Sequence, residues 1–171
     1  MMTLESKPEA QLEILPSGVR VIRLGEGDGF WLEEYQKILL VAAKDFLARS
    51  RLPGTPEGVL TRLAIAVYEP NQAVWLVLDA EYRLIGFAWV VLSSPFGGPP
   101  IASAPAVYLY PRKRVGAVFP VLVRRMVEWS KMNGAAHCYF ETRRDRPRAW
   151  ARIGAHPAAA IYEVEMGEHH G

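Results

Sequence analysis

Hydrophobic and polar positions alternate in "GVRVIRL", where Val19, Val21 and Leu24 or Ile22 stand against Arg20 and Arg23. That is the period of a half-buried strand, and Gly25, Gly27 and Gly29 end it. The preceding residues, 1–17, hold Pro8 and Pro16 and no sustained period, so they read as a loose leader. With Asp28 as the expected N-cap, Trp31, Tyr35, Ile38, Leu39, Ala42 and Phe46 then recur at helical spacing, predicting one long amphipathic helix to about Arg49. Thr55, Pro56 and Glu57 supply a cap, a first-turn proline and a first-turn acid for a second helix, which stops before Pro70.

"AVWLVL" and "LIGFAWVVL" are rich in β-forming residues and flank the polar segment Asp79 to Arg83, so they predict an antiparallel hairpin. Gly86 inside its second strand marks a bulge or a close backbone approach. Ser93 to Pro105 carries four prolines and two glycines and reads as an irregular surface loop, a candidate site for a protein partner. "AVYLY" is a strand, and Phe119, Leu122, Val123, Met126 and Ser130 line one side of a helix ended by Asn133 and Gly134. "AHCYFET" predicts a strand, "RPRAWARIGA" a short helix with Asp145 as its N-cap, and "AAIYEVEM" a closing strand. This order predicts an α/β (α+β) chain with a central mixed sheet and helices on both faces. One domain over 18–167 accounts for it, with 168–171 a polar tail.

The 171 residues, half of them hydrophobic, suffice for one substantial core. A single cysteine, Cys138, cannot close an internal disulfide, and the chain opens without the pattern of a secretory signal, which predicts a cytoplasmic protein. Apolar runs such as Phe87 to Leu92 fall far short of the roughly 20 residues a bilayer span requires, so no membrane association is expected. Formal net charge is +2, but it is unevenly placed: −3 over residues 1–105, +8 over 106–152 and −3 in the tail. Clustered cations raise the local potential whatever the total. The basic region is therefore a candidate anion site or a solvated surface.

"YPRKRVGAV", Tyr110 to Val118, sits between a predicted strand and a predicted helix. Pro120 is tolerated only in a helix's first turn, so the helix should begin near Ala117. The amides around Val115 to Val118 then lack intrahelical acceptors, at the positive end of the dipole and beside Arg112, Lys113 and Arg114. An anion there would meet both donors and charge.

The order of elements, the hairpin "VWLVLDAEYRLIGFAWV", the segment "VYLYPRKRVGAV" and the ending "RPRAWARIGAHPAAAIYEVEM" together resemble the GNAT superfamily of acyl-CoA-dependent N-acyltransferases, over about Val19 to Met166. The resemblance implies a mostly antiparallel twisted sheet that splays beside the "AVYLY" strand. It implies acetyl-CoA or another acyl-CoA as cofactor, with pantetheine beside Tyr108, Leu109 and Tyr110. The pyrophosphate would rest on the loop that includes Arg112, Lys113, Arg114, Val115, Gly116, Ala117 and Val118. The sequence departs from the family's loop at Lys113, where Gln or Arg is usual, and at Val118, whose branched side chain is expected to crowd a phosphate. Trp150 stands where many members have a tyrosine that protonates the leaving thiolate, and Ala155 replaces an aromatic residue after Gly154.

Direct acyl transfer requires a positioned thioester, a free amine and a path for its proton. Glu141, near the end of a predicted strand, is the candidate base, with an ion pair to Arg143 or Arg144 as the plainer reading. Tyr110 is the candidate acid, and Tyr108 shares its face. His137 and Cys138 are neighbours on a strand and face opposite ways, so they form no nucleophilic dyad, and Cys138 reads as core. His156 is a lone loop histidine, and no cluster has metal-ligand spacing, so no metal is expected. "RRDRPR" is the nucleic-acid candidate, but sparse aromatic interleaving argues against it. Two functions follow: N-acyl transfer from acyl-CoA to a small-molecule or protein amine, or a catalytically inactive structural or interaction subunit of a larger assembly, of virion or toxin type. The amine acceptor is not encoded in any motif.

Overall fold

A computed structural model describes residues 11–111, 117–141 and 150–157. Chain order is β1 (Gln11–Ile14), β2 (Arg20–Leu24), α1 (Phe30–Glu34), α2 (Gln36–Ser50), α3 (Pro56–Ala66), β3 (Gln72–Leu78), β4 (Leu84–Ser93), β5 (Ile101–Leu109), α4 (Val118–Met132) and β6 (His137–Phe140). The six strands lie in one sheet in sequence order. Every pairing is antiparallel except β5 with β6, which is parallel because α4 crosses over between them. This is the mixed sheet the pattern predicted, mostly antiparallel as the resemblance implied.

Two hydrophobic layers flank the sheet. Trp75, Val77, Ala88 and Val90 pack beneath Val118, Leu122, Met126 and Trp129 of α4. On the other face Val74, Leu76, Leu78 and Phe87 meet Leu39, Ala42, Leu63 and Ala66 of α2 and α3. Strict alternation in β3 makes it the central wall, because neighbouring residues feed opposite layers. Leu122 and Met126 are fully buried, and burial of each such side chain contributes roughly 1.5–3 kcal/mol.

Thr55 caps α3 as expected, its Oγ1 accepting from the Gly58 amide at 3.0 Å, with Pro56 at the start of the helix. Four expectations need correction. Gln11–Ile14 is a strand and not part of a loose leader, since it pairs with β2 and its Glu13 carboxylate receives the guanidinium of Arg125. Asp28 does not cap the next helix. Its Oδ2 instead accepts from the Gly25 amide at 2.8 Å, closing the turn before Gly29. The long helix is interrupted at Tyr35, whose hydroxyl donates to the Tyr82 carbonyl at 2.6 Å. Finally, the segment Ser93 to Pro105 is irregular only in its first part, because Ile101 to Pro105 already belong to β5.

Pro105 is accommodated by a bulge. Trp89 faces Ala106 and Val91 faces Ser103, so Ala104 and Pro105 stand against Val90 alone. The extra residue turns the strand over. Ala102 and Ala104 lie on the α4 side, whereas Ala106 and Tyr108 lie on the α2–α3 side.

Candidate functional site

Past the bulge, β5 has a strand neighbour on one side only among the described residues. Its register with β6 runs from Ile101 opposite His137 to Ala104 opposite Phe140, and among the described residues it goes no further. β6 ends at Phe140 while β5 continues to Leu109, so among the described residues the backbone groups on that edge of β5 meet no second strand. Tyr110 follows, its amide donating to the Ile85 carbonyl at 2.7 Å. Gly86 makes the close approach that its position in the strand predicted. A Cβ there would lie 2.5 Å from both the Tyr108 carbonyl oxygen and Leu109 Cδ2.

Helix α4 starts at Val118 with Ala117 as its N-cap and no side-chain capping bond. Pro120 lies in the first turn as expected, so the amides of Ala117, Val118 and Phe119 have no intrahelical acceptor. The crowding expected of Val118 does not arise. Its side chain is buried with Leu122 and Met126 under the sheet. Val118→Gly would open a cavity in the core. Arg112, Lys113, Arg114, Val115 and Gly116 lie outside the described residues, as do Arg143, Arg144, Asp145 and the closing-strand segment. Of the other cations in the basic region, Arg124 and Arg125 meet Glu13 and Glu128, so the charge of these two is matched.

The two tyrosines differ. Tyr108 is 3% exposed, stacks against Phe87 and donates its hydroxyl to Asp45 Oδ2 at 2.8 Å. Burial, then the Asp45 hydrogen bond and negative charge, push its pKa well above the usual tyrosine value. Its side chain is thus a held phenol in the core, and its backbone is paired with Phe87 of β4. Tyr110 is half-buried, sits edge-on to Tyr108 at 6.3 Å between ring centres, and lines a surface cleft.

That cleft, about 490 Å³, is formed by Tyr35 and Ile38 from the α1–α2 junction, Tyr82 to Ile85 from the β3–β4 turn, and Tyr110. The turn is built around Asp79. Burial pushes the Asp79 carboxyl up, but hydrogen bonds from the Arg83 amide and guanidinium, the Arg83 charge and the Glu81 amide outweigh it and hold the pKa below the ordinary carboxylate value. Tyr35 is shifted up by burial and by the charges of Glu34 and Asp79.

Glu141 is exposed and directly follows β6, beyond the last β5 pairing. Trp150 packs edge-on against Phe119 and tilted against Phe140, each at 5.3 Å, and so joins α4 to β6. His137 and Tyr139 are exposed, whereas Cys138 is half-buried against Ser130. Burial raises the Cys138 pKa and the Ser130 hydroxyl lowers it, with burial prevailing, so the group stays a thiol. His156 is exposed. Among the described residues, no group of three or more His, Cys, Asp or Glu side chains is placed to hold a metal, and no helix is long and apolar enough to cross a membrane. Sequence reasoning missed the cleft, because its walls come from three separated segments.

A one-sided sheet edge beside the uncapped start of a crossover helix, within this strand order, is the architecture of the GNAT acyltransferases, and the chain has that fold. Solved structures resemble it over nearly their whole length. The glucosamine-6-phosphate N-acetyltransferase of Arabidopsis thaliana superposes with a TM-score of 0.68 at 10% identity, covering 87% of this chain and 99% of that one. The aminoglycoside 6'-N-acetyltransferase of Acinetobacter baumannii gives 0.61 at 13% identity, covering 87% and 99%. A GNAT family acetyltransferase of Staphylococcus aureus gives 0.60 at 11%, covering 86% and 98%. No protein-family model matches the sequence. No curated protein matches it. At such identities the likeness is one of fold, and function has to be argued from the site.

Proposed function

We propose that the protein binds an acyl-CoA, with acetyl-CoA the simplest, along the free edge of β5 and transfers the acyl group to an amine. The observation that carries this reading is the stretch of β5 beyond Ala104 that, among the described residues, pairs with β4 alone and runs toward the amides of Ala117, Val118 and Phe119. An amide-bearing extended arm suits such an edge as an added strand does. A diphosphate suits a helix start whose first N–H groups lack intrahelical acceptors, and Val118 turns its side chain into the core. The basic residues Arg112, Lys113 and Arg114 precede that helix in sequence and would add charge.

When bound, the acyl-CoA supplies an activated thioester carbonyl. The backbone N–H and C=O of Leu109, between Tyr108 and Tyr110 whose own backbones face β4, would hold the arm by hydrogen bonds, while Phe87 and Asp45 keep the Tyr108 ring out of its way. Glu141, exposed at the end of β6, would take a proton from the amine, directly or through water. The Tyr110 hydroxyl would return a proton to the departing sulfur. Cys138, held as a thiol half-buried against Ser130, has no part in a covalent route. A single cysteine also fits the reducing cytoplasm, where acyl-CoA is available.

Isothermal titration of the full chain with acetyl-CoA and CoA tests the proposal: binding heat is expected, and none at high protein concentration overturns it. A second reading, an inactive interaction subunit, is favoured by Trp150. Its indole has no proton to give a thiolate and is packed between Phe119 and Phe140. Phe96, 96% exposed at the tip of the β4–β5 connection, would be its contact. Acyl-CoA turnover by the isolated chain would remove this second reading.

A further inference from the structure

From the outer edge of β1 we infer a symmetric dimer, in which two copies of this chain join β1 to β1 in antiparallel fashion and continue the sheet across a twofold axis. Among the described residues β1 pairs with β2 alone and is the edge of the sheet. The Leu15 amide donates to the Val19 carbonyl at 2.8 Å, which sets the phase of the β1–β2 ladder. Glu13 then exchanges its backbone hydrogen bonds with Val21, and the N–H and C=O of Leu12 and Ile14 point away from β2. Edges that avoid pairing carry a charge, a proline or a covering segment. The outward positions here are instead Leu12 and Ile14, with side chains 53% and 57% exposed.

The edge complements itself. With Glu13 opposite Glu13 of the second copy, Leu12 of each chain meets Ile14 of the other, and each such pair closes both of its backbone hydrogen bonds. A register with Ile14 opposite Ile14 would set Leu12 against Pro16, which has no N–H to give. Leu12 lies opposite Ile22 of the α2–α3 layer and Ile14 shares its face, so the apolar cross-strand pairs form on that side of the joined sheet.

Charge on the other side selects a second copy over an unrelated strand. Glu13 lies opposite Val21 of the α4 layer, and there its carboxylate receives Arg125 Nε and lies 3.7 Å from Arg124. Both arginines also meet Glu128. Carboxylates directly opposite on adjacent strands repel, but each Glu13 arrives with arginines of its own, and a guanidinium between the two carboxylates serves both. Two copies of this cluster meet at the axis with their acids and bases balanced. An unrelated strand gains the backbone bonds alone.

The paired segment is short, 4 residues a side, and falls below the roughly 1,200 Å² of total area that stable complexes bury, so dissociation at roughly 10–500 μM is expected. Analytical ultracentrifugation of the full chain from about 5 μM to about 1 mM reads it. Ile14→Lys puts a charge on the edge, and Leu12→Pro removes an N–H that β2 does not use; each should weaken self-association at least about tenfold. Leu12→Ala keeps the N–H and should weaken it about threefold. Ile65→Lys, at an exposed position of α3, should leave it unchanged. Should Leu12→Pro fail to fold, Ile14→Lys decides. A chain that stays monomeric to about 1 mM overturns the proposal and leaves the edge to a strand from another protein. Dimers indifferent to Ile14→Lys overturn it too. So does a monomer whose Leu12 and Ile14 amides exchange slowly with deuterium, because the edge is then covered within one chain.

Discussion

The two halves of β5 are one strand put to two uses. Ile101 to Ala104 is paired on both sides, to β4 and to β6, and Ala102 and Ala104 are buried in the α4 layer. Ala106 to Leu109, among the described residues, is paired to β4 alone, opposite Trp89 to Gly86. Between them lies the bulge, where Pro105 can sit because its missing N–H is not needed by a second ladder. A backbone satisfied on both sides can only be structural, whereas one satisfied on a single side still has groups to offer. The difference teaches that a one-residue irregularity can turn a strand from scaffold to candidate binding edge without ending it.

Removing support from the first half should give the largest effect on stability. Leu122 is fully buried in the cluster that holds Ala102 and Ala104. Leu122→Ala is expected to destabilise the fold by about 2–5 kcal/mol, read from the midpoint of urea unfolding. CoA affinity of the folded protein should remain close to wild type. A matching collapse in affinity would mean that the two halves are not separable.

The second half is addressed by Gly86→Ala. The new methyl would meet the Tyr108 carbonyl and Leu109 at 2.5 Å, so backbone must move. A smaller loss of about 1–3 kcal/mol is expected. The loss of CoA affinity should nevertheless exceed that of Leu122→Ala, because the displaced atoms belong to the free edge. If binding is untouched while stability falls, the free edge is not where the ligand lies.

Much of this comparison can be traced in the sequence, but not the point at which the strand changes role. Alternation in "GVRVIRL" and the β-rich runs on either side of Asp79 mark β2, β3 and β4, because burial on a sheet face imposes its period directly. Thr55, Pro56 and Pro120 mark helix starts, because capping and proline geometry are local. Gly86 was legible for the same reason. Strand β1 was not, since its four residues depend on pairing with β2 and on Glu13 reaching Arg125, a partner 112 positions away. The bulge needs the register of two strands at once. The expected crowding by Val118 could not be checked in the sequence, because only the angle of α4 on the sheet decides which way that side chain turns. The cleft depends on Tyr35, Tyr82 and Tyr110 meeting, and no periodicity connects them.

The smallest effect comes from the bond that ties the second half to α2. Tyr108 donates to Asp45 Oδ2, which also receives Arg49 Nε at 2.6 Å. Tyr108→Phe removes one hydrogen bond to a partly exposed carboxylate that keeps its arginine, so about 0.5–1.5 kcal/mol should be lost at pH 7. Its pH dependence is more telling than its size. The folded-state pKa of Tyr108 is raised from an ordinary value of 10.0, so below that pH the phenol is neutral in folded and unfolded chains alike. Its hydrogen bond to Asp45 is then fully present. As pH climbs above 10.0 the unfolded chain gives up this proton while the folded chain keeps it, so the unfolded state binds fewer protons and stability falls. Urea unfolding at pH 8 and pH 10.5 should therefore show wild type losing more stability than Tyr108→Phe across that interval. Equal losses would mean that Tyr108 ionises as freely in the folded protein as in the unfolded chain, and that Asp45 does not hold the second half of β5 through its hydroxyl.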